Sequence, residues 1–279
     1  MKGLVVRSHG SEYFVRCGEE IYRLTARGKM KGKTEILVGD RVEFESGAIT
    51  AVLPRSSRFI RPSVANVELV AAVLSPEPKP DFLMLDKLLA SANKEGVEVV
   101  FVVNKNDLGE AIFRQVKEEY KGAGAEIFSV SAETGENLAA LKERLKGRLT
   151  AFAGQSAVGK SSLINAMFGA DLRVGDLSAI GRGKHTTTFS CIYFYGDWKI
   201  VDTPGFAVLE TDIGEKELMR FYPEFETHLN ECRYRGCAHA GEAGCAIAAL
   251  AESGEISPAR YARYLEILRQ IKERRKRYE

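Results

Sequence analysis

The chain has 279 residues, 45% of them apolar and 28% charged, with a formal net charge of +2. That length allows two or three domains, and the composition is that of a globular protein rather than a disordered or fibrous one. No stretch approaches the roughly 20 apolar residues of a membrane span, and the N-terminus MKGLVVRSHGSEYF has no secretory h-region, so a cytoplasmic, membrane-free protein is expected.

Charge is unevenly spread. Residues 1–61 hold 12 Lys/Arg against 7 Asp/Glu, and residues 260–279 hold 8 against 3, each a net of +5; the stretch between holds 20 against 28, a net of −8. Two basic ends around an acidic centre suggest an anionic partner held at both ends, or two solvated faces.

In chain order, LVVRS, EYFVRC, EIYRLTAR, RVEFES and AITAVL read as five short strands separated by glycine-containing turns. They predict a small antiparallel barrel over 1–61 of the oligonucleotide-binding (OB) type. Arg23, Arg27, Lys29, Lys31 and Lys33 form a basic run before the fourth strand, a candidate RNA contact or a flexible loop. PRSSRFIRP, residues 54–62, reads as a linker. From 62 to about 220, buried strands alternate with amphipathic helices, which predicts a doubly wound α/β domain. Residues 221–279 form a third, mainly helical unit. It ends in a long helix from Pro258 whose stripe of Tyr261, Tyr264, Leu265, Leu268 and Ile271 should pack on its neighbours, while its basic end is either solvated or RNA-binding.

Within the middle domain, GQSAVGKS matches G-x-x-x-x-G-K-[ST] between a strand and a helix. Gly154, Gln155, Ser156, Ala157, Val158 and Gly159 would wrap phosphates with backbone N–H groups at a helix N-terminus. Lys160 would reach the β- and γ-phosphates, and Ser161, followed by Ser162, would ligate Mg²⁺. DTPG ends a later strand, with Asp202 placed to hold Mg²⁺ through water and the Gly205 N–H to sense the γ-phosphate. In NKND, the Asp107 carboxylate can accept from guanine N1–H and its 2-amino group, a pair that adenine does not offer. Asn104 can meet the other base edge or tie the loop to the P-loop, the Lys105 stem can cover the base face, and Asn106 completes the loop. Ser131 and Ala132 end the next strand, where the Ala132 N–H can meet guanine O6. GRGKHTTT, residues 181–188, is a candidate switch; Thr186, Thr187 or Thr188 could cap Mg²⁺, and we take Thr187 as the candidate. Phe206 stands where many GTPases carry a water-orienting Gln, so His185 or a partner is a candidate for that role.

The order of these motifs is the informative feature. Base-reading loops precede the P-loop and DTPG comes last, so a shared site requires a circularly permuted GTPase domain. Cys232, Cys237, His239 and Cys245 add a C-x4-C-x-H-x5-C cluster. Three thiolates and one imidazole make a closed tetrahedral set suited to structural zinc, with iron–sulfur the less favoured reading. Cys17 and Cys191 lie in strand patterns and are expected to be packed thiols.

The barrel, NKND before GQSAVGKSS, GRGKHTTT, DTPGF and the cysteine cluster together resemble the RsgA (YjeQ) family of bacterial GTPases that depend on the small ribosomal subunit. The resemblance implies a multidomain α/β protein: an OB barrel, a circularly permuted P-loop GTPase domain and a C-terminal zinc-binding helical unit. It further implies a late-assembly factor that binds the 30S subunit and its 16S rRNA and hydrolyses GTP under stimulation by the subunit; nothing in the sequence demands more than a monomer. On it, Asn104–Asp107 and Gly154–Ser162 carry the nucleotide, and Cys232, Cys237, His239 and Cys245 carry one zinc ion. Two rivals stand beside that expectation: a GTP-gated RNA-binding adaptor, and a GTPase acting on another RNA or protein.

Overall fold

The computed structural model describes residues 1–28, 35–169, 190–202 and 213–276. Five strands close the N-terminal barrel: β1 (Lys2–His9), β2 (Glu12–Cys17), β3 (Glu20–Ala26), β4 (Arg41–Glu45) and β5 (Ala48–Val52). Their order is β1-β2-β3-β5-β4 with β4 pairing back onto β1, and β3–β5 is the one parallel pair among them. Alternate residues point inward, so Val5, Val15, Leu24, Val42, Phe44 and Ile49 make a core of their own. A register shift in β1 between Val5 and Arg7 redirects the strand. Val5 stays in the barrel core, Val6 turns into the core of the neighbouring domain, and Arg7 pairs with Cys191. Arg23 lies on β3 and is ion-paired to Glu12, so it belongs to a strand face rather than to the basic loop; Lys29, Lys31 and Lys33 lie outside the described residues.

The stretch that reads as a linker is a packed clamp. Arg55 forms a bidentate pair with the wholly buried carboxylate of Asp40, at 2.7 and 2.8 Å, and Asp40 also accepts from the Leu37 N–H. Asn66 donates to Gly39 O and accepts from Ser56 N–H, each at 2.8 Å. Strands β6 (Arg58–Phe59) and β7 (Val64–Ala65) pair, burying Phe59 and Val64 in the core of the following α/β domain. The segment is polar and Pro-flanked, which is the composition of a linker. Its polar side chains are nonetheless committed to partners on the barrel and the next domain.

The second domain is a two-sided sheet ordered β10-β9-β8-β11-β13-β12. β8 (Leu69–Leu74), β9 (Glu98–Val103), β10 (Glu126–Ser129), β11 (Leu149–Ala153) and β13 (Trp198–Asp202) run parallel, and β12 (Cys191–Tyr195) runs antiparallel. Every residue of β8 and β11 is buried, as strands covered on both faces require. Helices α1 (Phe82–Lys94) and α2 (Ala111–Glu119) cover one face, and α3 (Leu138–Leu145) and α4 (Lys160–Phe168) the other. Thr150, opposite Leu69 and Ile200 in the second core, is wholly buried, and its hydroxyl finds no hydrogen-bond partner among the described residues. Thr150→Val, nearly isosteric, should therefore stabilise the domain by about 1 kcal/mol. A rise of about 2 °C or more in Tm by circular dichroism would bear this out; a fall would show that the hydroxyl has a partner.

After residue 213 come α5 (Pro223–Glu226), α6 (Ala246–Ser253) and α7 (Pro258–Lys276). Ile213, Leu218, Tyr222, Phe225, Ile247, Tyr264, Ile267 and Leu268 form the C-terminal core, together with Ala90 of α1. The apolar stripe of α7 thus packs on both its own module and the α/β domain. The basic surplus of that helix is partly internal: Arg260 and Arg263 are ion-paired to Asp86, Glu224 and Glu119. Of the described helices, none is long and apolar enough to cross a membrane.

Candidate nucleotide site and metal centre

Because β8, β9, β10, β11 and β13 are parallel, their C-terminal ends share one edge of the sheet, where open α/β sheets bind ligands. The loop at 104–107 follows β9, Ser131 follows β10, the P-loop follows β11, and Asp202 ends β13 beside it. Four motifs spread over a hundred residues therefore meet at one rim. Gly205, His185 and Thr187 lie outside the described residues.

The P-loop backbone needs its two glycines. Gly154 has φ +141° and a Cβ there would come within 2.1 Å of Val73 O; Gly159 has φ +94° and its Cβ would meet Asn104 Nδ2 at 2.3 Å. Between them Ser156 and Ala157 are exposed and Val158 is buried. Gly159 caps α4 with no side-chain acceptor, which leaves first-turn N–H groups for an anion. Lys160 folds back so that its Nζ donates to Gly154 O and Gln155 O, both at 2.7 Å, and burial pushes its pKa down. A desolvated ammonium held by two carbonyls is poised to exchange them for phosphate oxygens. Ser161 and Ser162 are half-buried in the same turn.

Asn104 is the keystone between loops. Buried at 1% exposure, its Nδ2 donates to Val158 O at 2.9 Å and its Oδ1 accepts from the Ala132 N–H at 3.1 Å. It ties the 104–107 loop to the P-loop, one of the two roles open from the sequence. The Ala132 N–H is thereby engaged by Asn104, and a guanine O6 would share it with that side chain. Lys105, in the left-handed region at φ +60°, donates to Ala157 O at 3.0 Å and Glu77 O at 2.7 Å, so its stem bridges two loops. The Ser131 hydroxyl donates to Asp107 Oδ1 at 2.6 Å and accepts from Thr134 N–H, which fixes the carboxylate's direction. The Asn106 N–H bonds Val130 O.

The segment between β8 and α1 escaped the sequence reading. The Asp81 N–H donates to Gln155 of the P-loop at 2.9 Å, and Gln155 donates to Lys79 O at 3.2 Å, so residues 79–81 lie against the P-loop. The available signal was positional, since SPEPKPD follows the buried strand β8 at the same rim.

Gly159→Ala tests the crowding. A Cβ in that conformation is strained by about 1–3 kcal/mol and would displace Asn104. GDP affinity should fall about tenfold or more in a fluorescent-GDP titration, and native affinity would refute the tight approach.

The second constellation joins Cys232, Cys237, His239 and Cys245, whose ligand atoms all lie within 4.8 Å of one another. His239 Nδ1 is 3.5 Å from both Cys232 Sγ and Cys245 Sγ. Metal–sulfur bonds of about 2.3 Å and metal–nitrogen bonds of about 2.0 Å in a tetrahedron put N and S roughly 3.5 Å apart, so the set fits zinc. Backbone N–H groups of His239, Ala246 and Ala248 point at the sulfurs, as thiolates require. Burial pushes the metal-free Cys237 thiol up to about 12, so a metal must displace its proton. Burial works against the charge of Glu242, but backbone N–H groups including those of Ala240 and Ala238 outweigh it and hold the carboxyl at about 2. Tyr261 and Tyr264 of α7 donate to His239 O and Ala238 O, which fastens the long helix to this loop. His228 pairs with Glu231 beside the cluster. Cys17 and Cys191 are half-buried on β2 and β12.

A P-loop strand flanked by β8 and β13, with the NKND and SAE loops earlier in the chain, is the arrangement of a circularly permuted P-loop GTPase. The family model for the RsgA GTPase matches residues 52–212, and that for the RsgA N-terminal domain matches residues 2–50. The chain belongs to the RsgA GTPase family and is a GTP hydrolase. It is 37% identical over 287 residues to the small ribosomal subunit biogenesis GTPase RsgA of Ruminiclostridium cellulolyticum, covering 97% of this chain and 94% of that one. It is 39% identical to the protein of the same name from Moorella thermoacetica, with 97% of each covered. Among solved structures, YjeQ from Thermotoga maritima superposes with a TM-score of 0.83 at 35% identity, over 97% of this chain and 98% of that one. YloQ, a circularly permuted GTPase, gives 0.77 at 29% identity, over 98% and 95%.

Proposed function

We propose that this GTPase acts in maturation of the small ribosomal subunit, binding the 30S particle and its 16S rRNA in the cytoplasm as a monomer, with hydrolysis stimulated by the subunit. The observation that carries this reading is full-length similarity to relatives named for small ribosomal subunit biogenesis. In it, residues 1–61 form the RNA-binding barrel, 62–220 the GTPase domain and 221–279 the zinc-binding module.

Asp107, oriented by Ser131, reads guanine, while Asn104 and Lys105 hold the two loops together around it. The N–H groups of residues 154–162 and the Lys160 ammonium take the phosphates. Ser161 opens α4, and Asp202 ends the strand next to β11, so these two fit as holders of Mg²⁺, which would neutralise phosphate charge. Gly205 senses the γ-phosphate, and Thr187 and His185 remain the candidates for metal capping and water orientation. One zinc ion on the Cys₃His set has a structural role, since all four positions are filled by protein.

The test is GTP hydrolysis alone and with purified 30S subunits, with 50S subunits and ATP as controls. Strong stimulation by 30S alone, with ATP inert, supports the proposal. Nucleotide-dependent 30S binding without stimulation would make the chain a binding switch, and equal binding to any structured RNA at matched salt would remove the ribosomal assignment.

A further inference from the structure

Helix α1 lies between the sheet and the C-terminal module. Leu85, Leu88, Leu89 and Ala92 face the sheet core. The opposite face meets the C-terminal module along its whole length. The carboxylate of Asp86, wholly buried, pairs with Arg260 and Arg263 of α7. Lys87 donates to Gln270, Ala90 enters the C-terminal core, Asn93 donates to Phe221 O, and Lys94 pairs with Glu217. Arg263 reaches on to Glu119 at the end of α2, and Arg260 to Glu224 of α5. Both guanidiniums lie over the Tyr120 ring, 4.6 and 5.8 Å from its centroid.

The first turn of the same helix is built into the nucleotide loops. Asp81 caps it by accepting from Met84 N–H, and the Asp81 N–H is itself taken by Gln155 of the P-loop. Four residues earlier, Glu77 O receives the Lys105 ammonium, which also holds Ala157 of the P-loop. The P-loop and the guanine-reading loop therefore both grip the segment that starts α1, and α1 is gripped in turn by α7.

We propose that α1 couples the nucleotide site to the C-terminal module, so that closure of residues 75–81 over the P-loop and seating of α7 on Asp86 form one linked equilibrium. Nucleotide that orders Gln155 and Lys105 tightens α7, and by reciprocity a partner that lifts α7 speeds nucleotide release. This rests on the reading of the P-loop rim as the guanine-nucleotide site, and the experiment separates the two.

Hydrogen–deuterium exchange of the full-length, zinc-loaded protein is measured with and without saturating GDP, alongside the dissociation rate of a fluorescent GDP chased with unlabelled GDP. GDP should slow exchange in α1 and α7 while leaving the β2–β3 hairpin of the barrel unchanged. Arg263→Gln should speed GDP release about fivefold or more, the range usual for coupled sites, and Ile267→Val, a milder change in the C-terminal core that Ala90 of α1 joins, should act in the same direction. Arg144→Gln, which breaks a solvent-exposed pair with Glu98 and Glu126 at the far edge of the sheet, should release GDP at the native rate. Bound GDP without protection of α7 in the native protein overturns the coupling, whether or not either variant folds. So does native release from variants whose α7 exchanges faster. Failure of the native protein to bind GDP sinks the reading of the site itself.

Discussion

Asp107→Asn is expected to weaken GDP binding at least about a hundredfold and to shift preference toward xanthine nucleotides. A carboxylate is an acceptor at every lone pair. The Ser131 hydroxyl occupies one position on Oδ1 at 2.6 Å, and the remaining positions are free for guanine N1–H and the 2-amino group. Asparagine replaces one oxygen with an NH₂ donor. Whichever way the amide turns, a donor then faces a donor, either at Ser131 or at the base. Asp107 is exposed in the free chain, and a bound base would cover it. Each donor then buried without an acceptor costs about 1–3 kcal/mol, so two such losses amount to roughly 1.5 to 4 powers of ten. Xanthine carries a carbonyl where guanine carries its amino group, and the new NH₂ can donate to it. Titrating native and variant protein with fluorescent GDP and XDP checks both halves. If Asp107→Asn binds GDP within threefold of native and ignores XDP, the base is read elsewhere.

Removing the metal should have an effect of similar size on the C-terminal module. Structural zinc sites of this kind contribute apparent binding energies of about 10–16 kcal/mol near neutral pH, more than the total stability of most domains. Without the ion, the 232–246 loop keeps only its hydrogen bonds, such as those from the Ala238 and Ala240 N–H groups to Glu242, around four side chains that have lost their shared partner. Tyr261 and Tyr264 would lose their acceptors His239 O and Ala238 O, which lie in that loop. The native protein should contain one zinc per chain by elemental analysis. Cys237→Ala, or a strong chelator, should remove it and abolish the near-ultraviolet signal of the tyrosines packed in the C-terminal core. The barrel and sheet cores, formed by other residues, should keep their own melting transition. A chelated protein with an unchanged near-ultraviolet spectrum would show that the module folds without metal.

These expectations draw on two kinds of information. The sequence alone carries the motifs: P-loop glycines, the NKND carboxylate, the Cys₃His set, and a motif order that demands permutation. It specified the elements as well, because apolar residues alternate with polar ones in β4, run unbroken through β8, are interrupted only by Thr150 in β11, and repeat at helical spacing in α7. Each of these is a local pattern, set by the geometry of a single strand or helix against a core.

Tertiary structure decided the rest. PRSSRFIRP reads as a linker until Arg55 is seen on Asp40 and Ser57 on Val67 O. Asn104 had two possible roles, and contact with Val158 and Ala132 selected the clasp. The bulge that sends Val5 and Val6 into different cores leaves no mark on the apolar string. Arg260 and Arg263 counted as part of a basic tail, yet Arg260 meets Asp86 across 174 residues of chain and is 1% exposed. Apolar burial repeats with the period of an element and can be read along the chain. An ion pair or a loop clasp joins residues whose separation in sequence is arbitrary, so nothing local encodes it and only the folded chain brings its partners together.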